Sequence, residues 1–106
     1  MSIIDQLGTD AHTKQLFVEY HKANPEVWKY FLQFAREIRA SGRKHYGAKS
    51  IMERVRFDCD IKNPNAEFKI NNNFTALYAR CLALKYPQEF GNFFEFRTLH
   101  GLKEAA

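Results

Sequence analysis

Basic side chains are concentrated in one part of the chain. Residues 29–56 contain eight Lys and Arg residues and two acids, a formal charge of +6 in a chain of net charge +4. The other residues therefore sum to −2. Arginine binds phosphate through a rigid planar fork and lysine binds it as a point charge, so an acid-poor run is typical of a polyanion-binding surface. We call the following residues the basic ridge: Arg36, Arg39, Arg43, Lys44, His45, Lys49, Arg54 and Arg56.

Tyr46 lies within this run, and its ring and hydroxyl are suited to stacking or to bonding with a sugar or phosphate. The alternative that the sequence leaves open is a pair of solvated helix faces. Basic residues near a helix C-terminus complement the helix dipole, and local ion pairs would neutralise others. The shortage of acids favours the phosphate-binding interpretation.

Three consecutive asparagines precede a helical stripe of apolar residues. At the start of a helix in the major groove, asparagine can form paired bonds to adenine while arginine reads guanine. On this interpretation the reading edge consists of Asn71, Asn72, Asn73, Thr75 and Arg80. The favoured interpretation is structural, with Asn72 or Asn73 as the N-cap of the helix and the others in a turn.

A third pattern involves acids and a lysine around a turn. Asp58 and Asp60 followed by Glu67 and Lys69 resemble the acid and E-x-K arrangement of PD-(D/E)XK nucleases, in which carboxylates hold Mg²⁺. Polar residues flanking a hairpin explain the same pattern. The histidines and cysteines lack metal-binding spacing. We therefore expect no enzymatic activity, no metal and no cofactor.

Helical periodicity dictates most of the elements that must position these residues. Apolar spacing predicts helices over residues 10–21, 25–40, 48–57 and 73–86. The segment "NPE" supplies Asn24 as an N-cap followed by a proline, and "SG" at positions 41 and 42 predicts the end of that second helix. Pro87 predicts the end of the fourth helix.

Two segments favour β structure. Phe57, Cys59 and Ile61 alternate with polar residues, and "KNPN" is a strong turn signal, so we predict a hairpin over residues 57–70. A loop between helices is the alternative. Residues 94–97 alternate as a third strand would, although a helix containing Phe90 and Phe94 also fits.

Length and composition bound the fold. A chain of 106 residues with 45% hydrophobic and 15% aromatic side chains fits one domain with one core. We expect a mainly α, compact domain of about four helices with a small hairpin and third strand, and α+β as the alternative class. The sequence contains no apolar run long enough to cross a bilayer and no secretory signal, so we expect a cytoplasmic protein without a membrane partner.

The segments "GRKHYGAKSIMERVRFDCD", "FKINNNFTALYARCLALKYP" and "FFEFR" resemble small proteins encoded by bacteriophages and prophages. The resemblance covers about residues 24–97 and assigns no site residues. It implies either a DNA-binding regulator or an inhibitor of a host protein.

We accordingly expect the chain to bind nucleic acid, namely double-stranded DNA, through the basic ridge, and a homodimer fits that role. The alternative is a protein-interaction module that docks on a host protein through exposed aromatic residues. The candidates for that aromatic patch are Trp28, Phe90, Phe93 and Phe94, although in a chain this small each is more typical of the core than of an interface.

Overall fold

Helices provide the regular structure of residues 3–63, 69–70 and 72–94, which are the residues described by the computed structural model. The mainly α fold class is thereby confirmed. None of the helices in these residues is long and apolar enough to span a membrane. A short 3-10 helix, Ile4–Gln6, precedes α1 (Ala11–Ala23), α2 (Pro25–Ala40), α3 (Ala48–Lys62), α4 (Asn72–Lys85) and α5 (Pro87–Phe90).

The first two helix starts use their polar residues differently. The Asp10 carboxylate accepts bonds from the backbone N–H of Thr13 at 2.7 Å and from its hydroxyl at 3.1 Å, which lowers the pKa of Asp10. Asn24 occupies the N-cap position of α2, but its side chain does not cap that helix. Its amide instead donates to the Tyr20 carbonyl at 3.0 Å, so it closes the C-terminal end of α1.

The end of α2 follows the predicted signal. Ser41 is the C-cap, and Gly42 has a φ of 103°, a left-handed conformation that favours glycine. The chain then turns through residues 43–47 into α3. This turn carries the centre of the basic ridge.

The predicted hairpin is wrong at its first strand, because α3 continues to Lys62. Phe57 and Ile61 alternate with polar residues, but they also lie four positions apart, which is helical spacing. Cys59 extends the buried stripe of α3 and settles the choice. The "KNPN" turn lies largely outside the described residues, and Ile70, which is described, belongs to no strand.

The fourth helix begins one residue earlier than predicted, so Asn72 and Asn73 are helical rather than capping. The position before it, Asn71, lies outside the described residues. The predicted strand over residues 94–97 is seen only at Phe94, which forms an isolated parallel bridge with Tyr46. Residues 95–97 are not described.

The core is one cluster of buried side chains with aromatic rings at its centre. In it, α2 packs against α1, α3 and α4, and α4 also packs against α3 and α5. The fully buried ring of Tyr78 lies 4.8 Å from the Phe17 ring and 6.1 Å from the Phe31 ring, measured between centroids. Aromatic packing of this kind contributes beyond the area it buries. The core thereby fixes the relative positions of α2 and α5, on which the candidate site depends.

Candidate nucleic-acid interface

A shallow groove of about 330 Å³ separates the C-terminal end of α2 and the following turn from α5. We call it the basic groove. Three basic residues of the ridge line one side, and α5 with the residues after it lines the other. The lining residues are Arg39, Gly42, Arg43, Lys44, Pro87, Gln88, Glu89, Asn92 and Phe93.

The two sides of the groove are joined by direct bonds. Glu89 binds the Arg36 guanidinium through both carboxylate oxygens, at 3.1 Å from Nε and 3.0 Å from Nη2. This hydrogen bonding raises the pKa of Arg36, whose guanidinium also lies 4.8 Å from the centre of the Tyr86 ring. The backbone carbonyl of Glu89 accepts a 2.8 Å bond from Arg39 Nε. Two arginines of α2 therefore hold α5 in place, and Arg36 is committed to that structural role.

The turn of the basic ridge is bonded to the residues that follow α5. The backbone N–H of Tyr46 donates to the Phe93 carbonyl at 3.0 Å. The half-buried Tyr46 ring lies 5.6 Å from the Arg43 guanidinium, within the range of a cation–π contact. Tyr46 thus positions the turn and Arg43, and this is the role that the structure gives it.

Two further ridge residues are paired with acids on the helices. Arg54 binds Glu37 at 2.9 Å, and its guanidinium lies 4.0 Å from the centre of the Phe34 ring. Hydrogen bonds from Gln33 and then from Arg54 lower the pKa of Glu37. Arg56 lies 3.5 Å from Glu53 in the same helix. For Arg54 and Arg56 the alternative of solvated faces with local ion pairs is therefore the better description.

Four cations of the ridge remain available, and we call them the open cations. Within the described part of the chain, they have no carboxylate within 4.0 Å, whereas Arg36, Arg54 and Arg56 each do. His45 is exposed beside them. The open cations are Arg39, Arg43, Lys44 and Lys49.

The first turn of α3 adds to the positive character of this surface. Its N-cap is Gly47, which has no capping side chain, and the turn contains no acid. The first backbone N–H groups of a helix lack intrahelical acceptors, so they are suited to bind an anion that Lys49 attracts. The end of α2, the turn and the start of α3 thus form one surface without its own neutralising acids.

Asn72 and Arg80 of the predicted reading edge do not join this surface. Asn72 begins α4 at the end that packs on α1, since the Phe74 ring lies 5.6 Å from the Phe17 ring. The basic groove lies beyond the other end of α4, next to α5. A helix of 14 residues is about 20 Å long. Arg80 is half-buried, burial lowers its pKa, and it lines a separate cavity near Gln6.

Three of the four candidates for an exposed aromatic patch are core residues. Phe90, Phe93 and Phe94 are buried in the core, and Trp28 is partly buried. Their rings pack on one another and on α2, as the 5.9 Å distance between the Phe31 and Phe94 ring centroids shows.

The acids of the nuclease-like pattern lie on α3 rather than on a strand, because Asp58 and Asp60 are helical. Glu67 lies outside the described residues. Among the described residues, no group of three or more His, Cys, Asp or Glu side chains is arranged to hold a metal ion.

Sequence reasoning missed the α5 side of the groove. Gln88, Glu89 and Asn92 line it, and Glu89 holds two arginines that precede it by 50 residues or more. No local pattern indicates contacts at such a separation. The one available signal is the proline at position 87, which starts a new helix and so turns the chain.

The fold and the groove together define a small helical protein with an acid-poor basic surface. Comparison of the chain with protein-family models, with curated proteins and with solved structures finds no match. The resemblance to bacteriophage proteins therefore stays a prediction.

Proposed function

We propose that the protein binds double-stranded DNA through phosphate contacts made by the four open cations. The observation that carries the proposal is the shallow groove lined by Arg39, Arg43 and Lys44, where the one carboxylate among the described lining residues, that of Glu89, is already bound by Arg36. Lys49 lies beyond the groove, in the first turn of α3. A surface that serves solubility alone usually mixes both signs of charge. A surface that binds phosphates needs cations without competing acids.

The groove suits a backbone more than a small molecule. It is shallow, and its three cations come from the end of α2 and the turn that follows, with Lys49 in the first turn of α3 beyond them. Arg39 and Arg43 present planar guanidinium groups, whose fork matches phosphate oxygens. The Glu89 and Tyr46 contacts hold these arginines before any ligand arrives, which reduces the ordering entropy that binding would otherwise require.

The same geometry favours binding that does not depend on sequence. Base readout requires side chains that enter a groove of the DNA. Of the residues proposed for that role, Asn72 begins α4 and is separated from the groove by the length of that 14-residue helix, about 20 Å. Phosphate contacts alone give affinity without base discrimination.

The number of open cations predicts the salt dependence. Four phosphate contacts give a slope of about −3.6 in a plot of log affinity against log salt, whereas about seven contacts, from every Lys and Arg of the ridge, would give about −6. We expect the smaller value for a labelled random 30-bp duplex titrated with the protein and followed by fluorescence anisotropy. The triple substitution Arg43→Ala, Lys44→Ala and Lys49→Ala should leave a slope of about −0.9 and lower the affinity by about 10³-fold at 50 mM salt.

The matched control removes the same charge elsewhere. Lys14→Ala, Lys22→Ala and Lys29→Ala together change three lysines of α1 and the first half of α2, far along the chain from the groove. This variant should keep a slope near the wild-type value. Absence of wild-type binding at 50 mM salt, or equal slopes for the two triple variants, would refute the proposed function.

A further inference from the structure

The most exposed large apolar side chains of the described residues lie side by side on α3. Phe57 is 64% exposed and Ile61 is 62% exposed. Because they are four positions apart, they lie on one face of the helix. That face is opposite the core stripe, which contains Ile51, Val55 and Cys59. Because the two side chains are adjacent, they form one contiguous apolar patch, the kind of feature that marks an interaction surface when a partner extends it.

The charges beside this pair are self-complementary. Arg56 and Asp60 precede Phe57 and Ile61 by one position each, so they lie together on one flank of the apolar face. Arg56 also lies 3.5 Å from Glu53 of its own helix, but exposed pairs of this kind contribute little, so Arg56 can exchange Glu53 for a carboxylate of the second copy. An antiparallel copy of α3 that places Phe57 on the partner's Ile61 also places Arg56 beside the partner's Asp60. A two-fold axis repeats both contacts. A parallel copy would instead place like residues opposite one another.

We propose that two copies of the chain associate through antiparallel pairing of their α3 helices at Phe57 and Ile61. The contact is isologous, with the axis near Cys59, and reciprocal Arg56–Asp60 pairs set its register. Two helical turns form a small interface, and interfaces of that size are weak and transient. The dimer is therefore expected to have a dissociation constant in the micromolar range.

The pairing has a geometric consequence that rests on the proposed function. Lys49 lies ten residues before the axis, so at 1.5 Å per residue the two Lys49 residues are about 30 Å apart. The two-fold axis places equivalent flanks of the two helices on the same side. One turn of DNA is about 34–36 Å. The two basic surfaces of the dimer are thus spaced to contact phosphates about one helical turn apart.

Analytical ultracentrifugation without DNA tests the pairing directly, from about 5 to 500 μM protein. Ile61→Asp should raise the dissociation constant at least tenfold, because it places a charge in the apolar contact. Leu16→Asp is the matched control, since Leu16 is an exposed leucine on α1, and it should dimerise as the wild type does. Ile61 and Leu16, and the positions Arg56 and Asp60 that are substituted below, are all solvent-accessible. Circular dichroism will verify that each variant is folded.

A charge exchange tests the register. Arg56→Asp or Asp60→Arg alone should weaken the dimer about tenfold or more by placing like charges opposite one another, and the double substitution should restore it. Restoration supports the antiparallel arrangement. A wild-type monomer over the whole range, an unaffected Ile61→Asp variant, or no restoration in the double variant would each overturn the proposal. Because DNA is absent, these outcomes do not depend on the proposed function.

Discussion

Replacing Tyr78 by phenylalanine should stabilise the protein. The Tyr78 ring is fully buried, and among the described residues its hydroxyl has no hydrogen-bond partner. A buried polar group without a partner loses about 1–3 kcal/mol of hydration free energy on folding. Removing the hydroxyl recovers this energy, less the packing lost from the space it filled. We therefore expect Tyr78→Phe to raise the free energy of unfolding by about 1 kcal/mol, or the Tm by about 4 °C or more.

Tyr20 provides the matched control in the same aromatic cluster. Its hydroxyl donates a 2.9 Å bond to the Lys69 carbonyl. Tyr20→Phe removes one hydroxyl, as Tyr78→Phe does, but it also breaks a bond. It should lower the free energy of unfolding by about 0.5–1.5 kcal/mol. Urea denaturation followed by circular dichroism measures both variants, and equal m-values would show that the unfolded state is unchanged.

The opposite signs make the reasoning refutable. A loss of stability in Tyr78→Phe comparable to that in Tyr20→Phe would mean that the buried hydroxyl is bonded after all. Burial also raises the pKa of Tyr20 to about 12 and that of Tyr78 further. Unfolded tyrosine ionises near pH 10. The contribution of these raised pKa values to the free energy of unfolding is therefore fully present below about pH 10 and is lost as pH rises through the folded pKa. Tyr78→Phe should show a smaller alkaline loss than the wild type.

Three further results follow from local geometry. Burial raises the pKa of Cys59 and raises that of Cys81 to about 11, so neither thiol should react with Ellman's reagent at about pH 8 until urea unfolds the protein; a fast-reacting native thiol would contradict this. Gly42→Ala should lower the free energy of unfolding by about 1 kcal/mol because of its φ of 103°, whereas Gly47→Ala, whose added Cβ would meet nothing closer than 3.9 Å, should change it by only a few tenths. Asp10→Ala should lower the Tm, whereas Asp10→Asn should keep the helix cap. The lowered pKa of Asp10 contributes stability above about pH 4 that is lost as pH falls. The Tm of the Asn variant should therefore fall less steeply than that of the wild type as the solution is acidified.

The sequence predicted those features that depend on neighbours in the chain. Four long helices and the stop at Gly42 follow from apolar periodicity and local conformation. The hairpin prediction was wrong because the spacing of Phe57 and Ile61 fits both the alternation of a strand and the four-residue spacing of a helix. Only the burial of Cys59 distinguishes the helix from the strand. Local patterns cannot resolve that choice.

The candidate site was predicted only in part, for a different reason. Charge density located the turn that contains Arg43, but it treated every cation as equally available. Which arginines are occupied depends on contacts between distant residues, such as Arg36 with Glu89 and Arg54 with Glu37. Ion pairs occupy three of the seven Lys and Arg residues of the ridge, and the expected salt slope changes accordingly.

The bond between Tyr46 and Phe93 also has a consequence for the order in which the protein is made. It joins residues 47 positions apart, so α1 to α4 must be synthesised before the turn acquires its anchor. A nascent chain halted before α5 would carry Arg39 and Arg43 without Glu89 or the Phe93 carbonyl. The basic groove is lined from both sides, so it can assemble only after α5 has been synthesised.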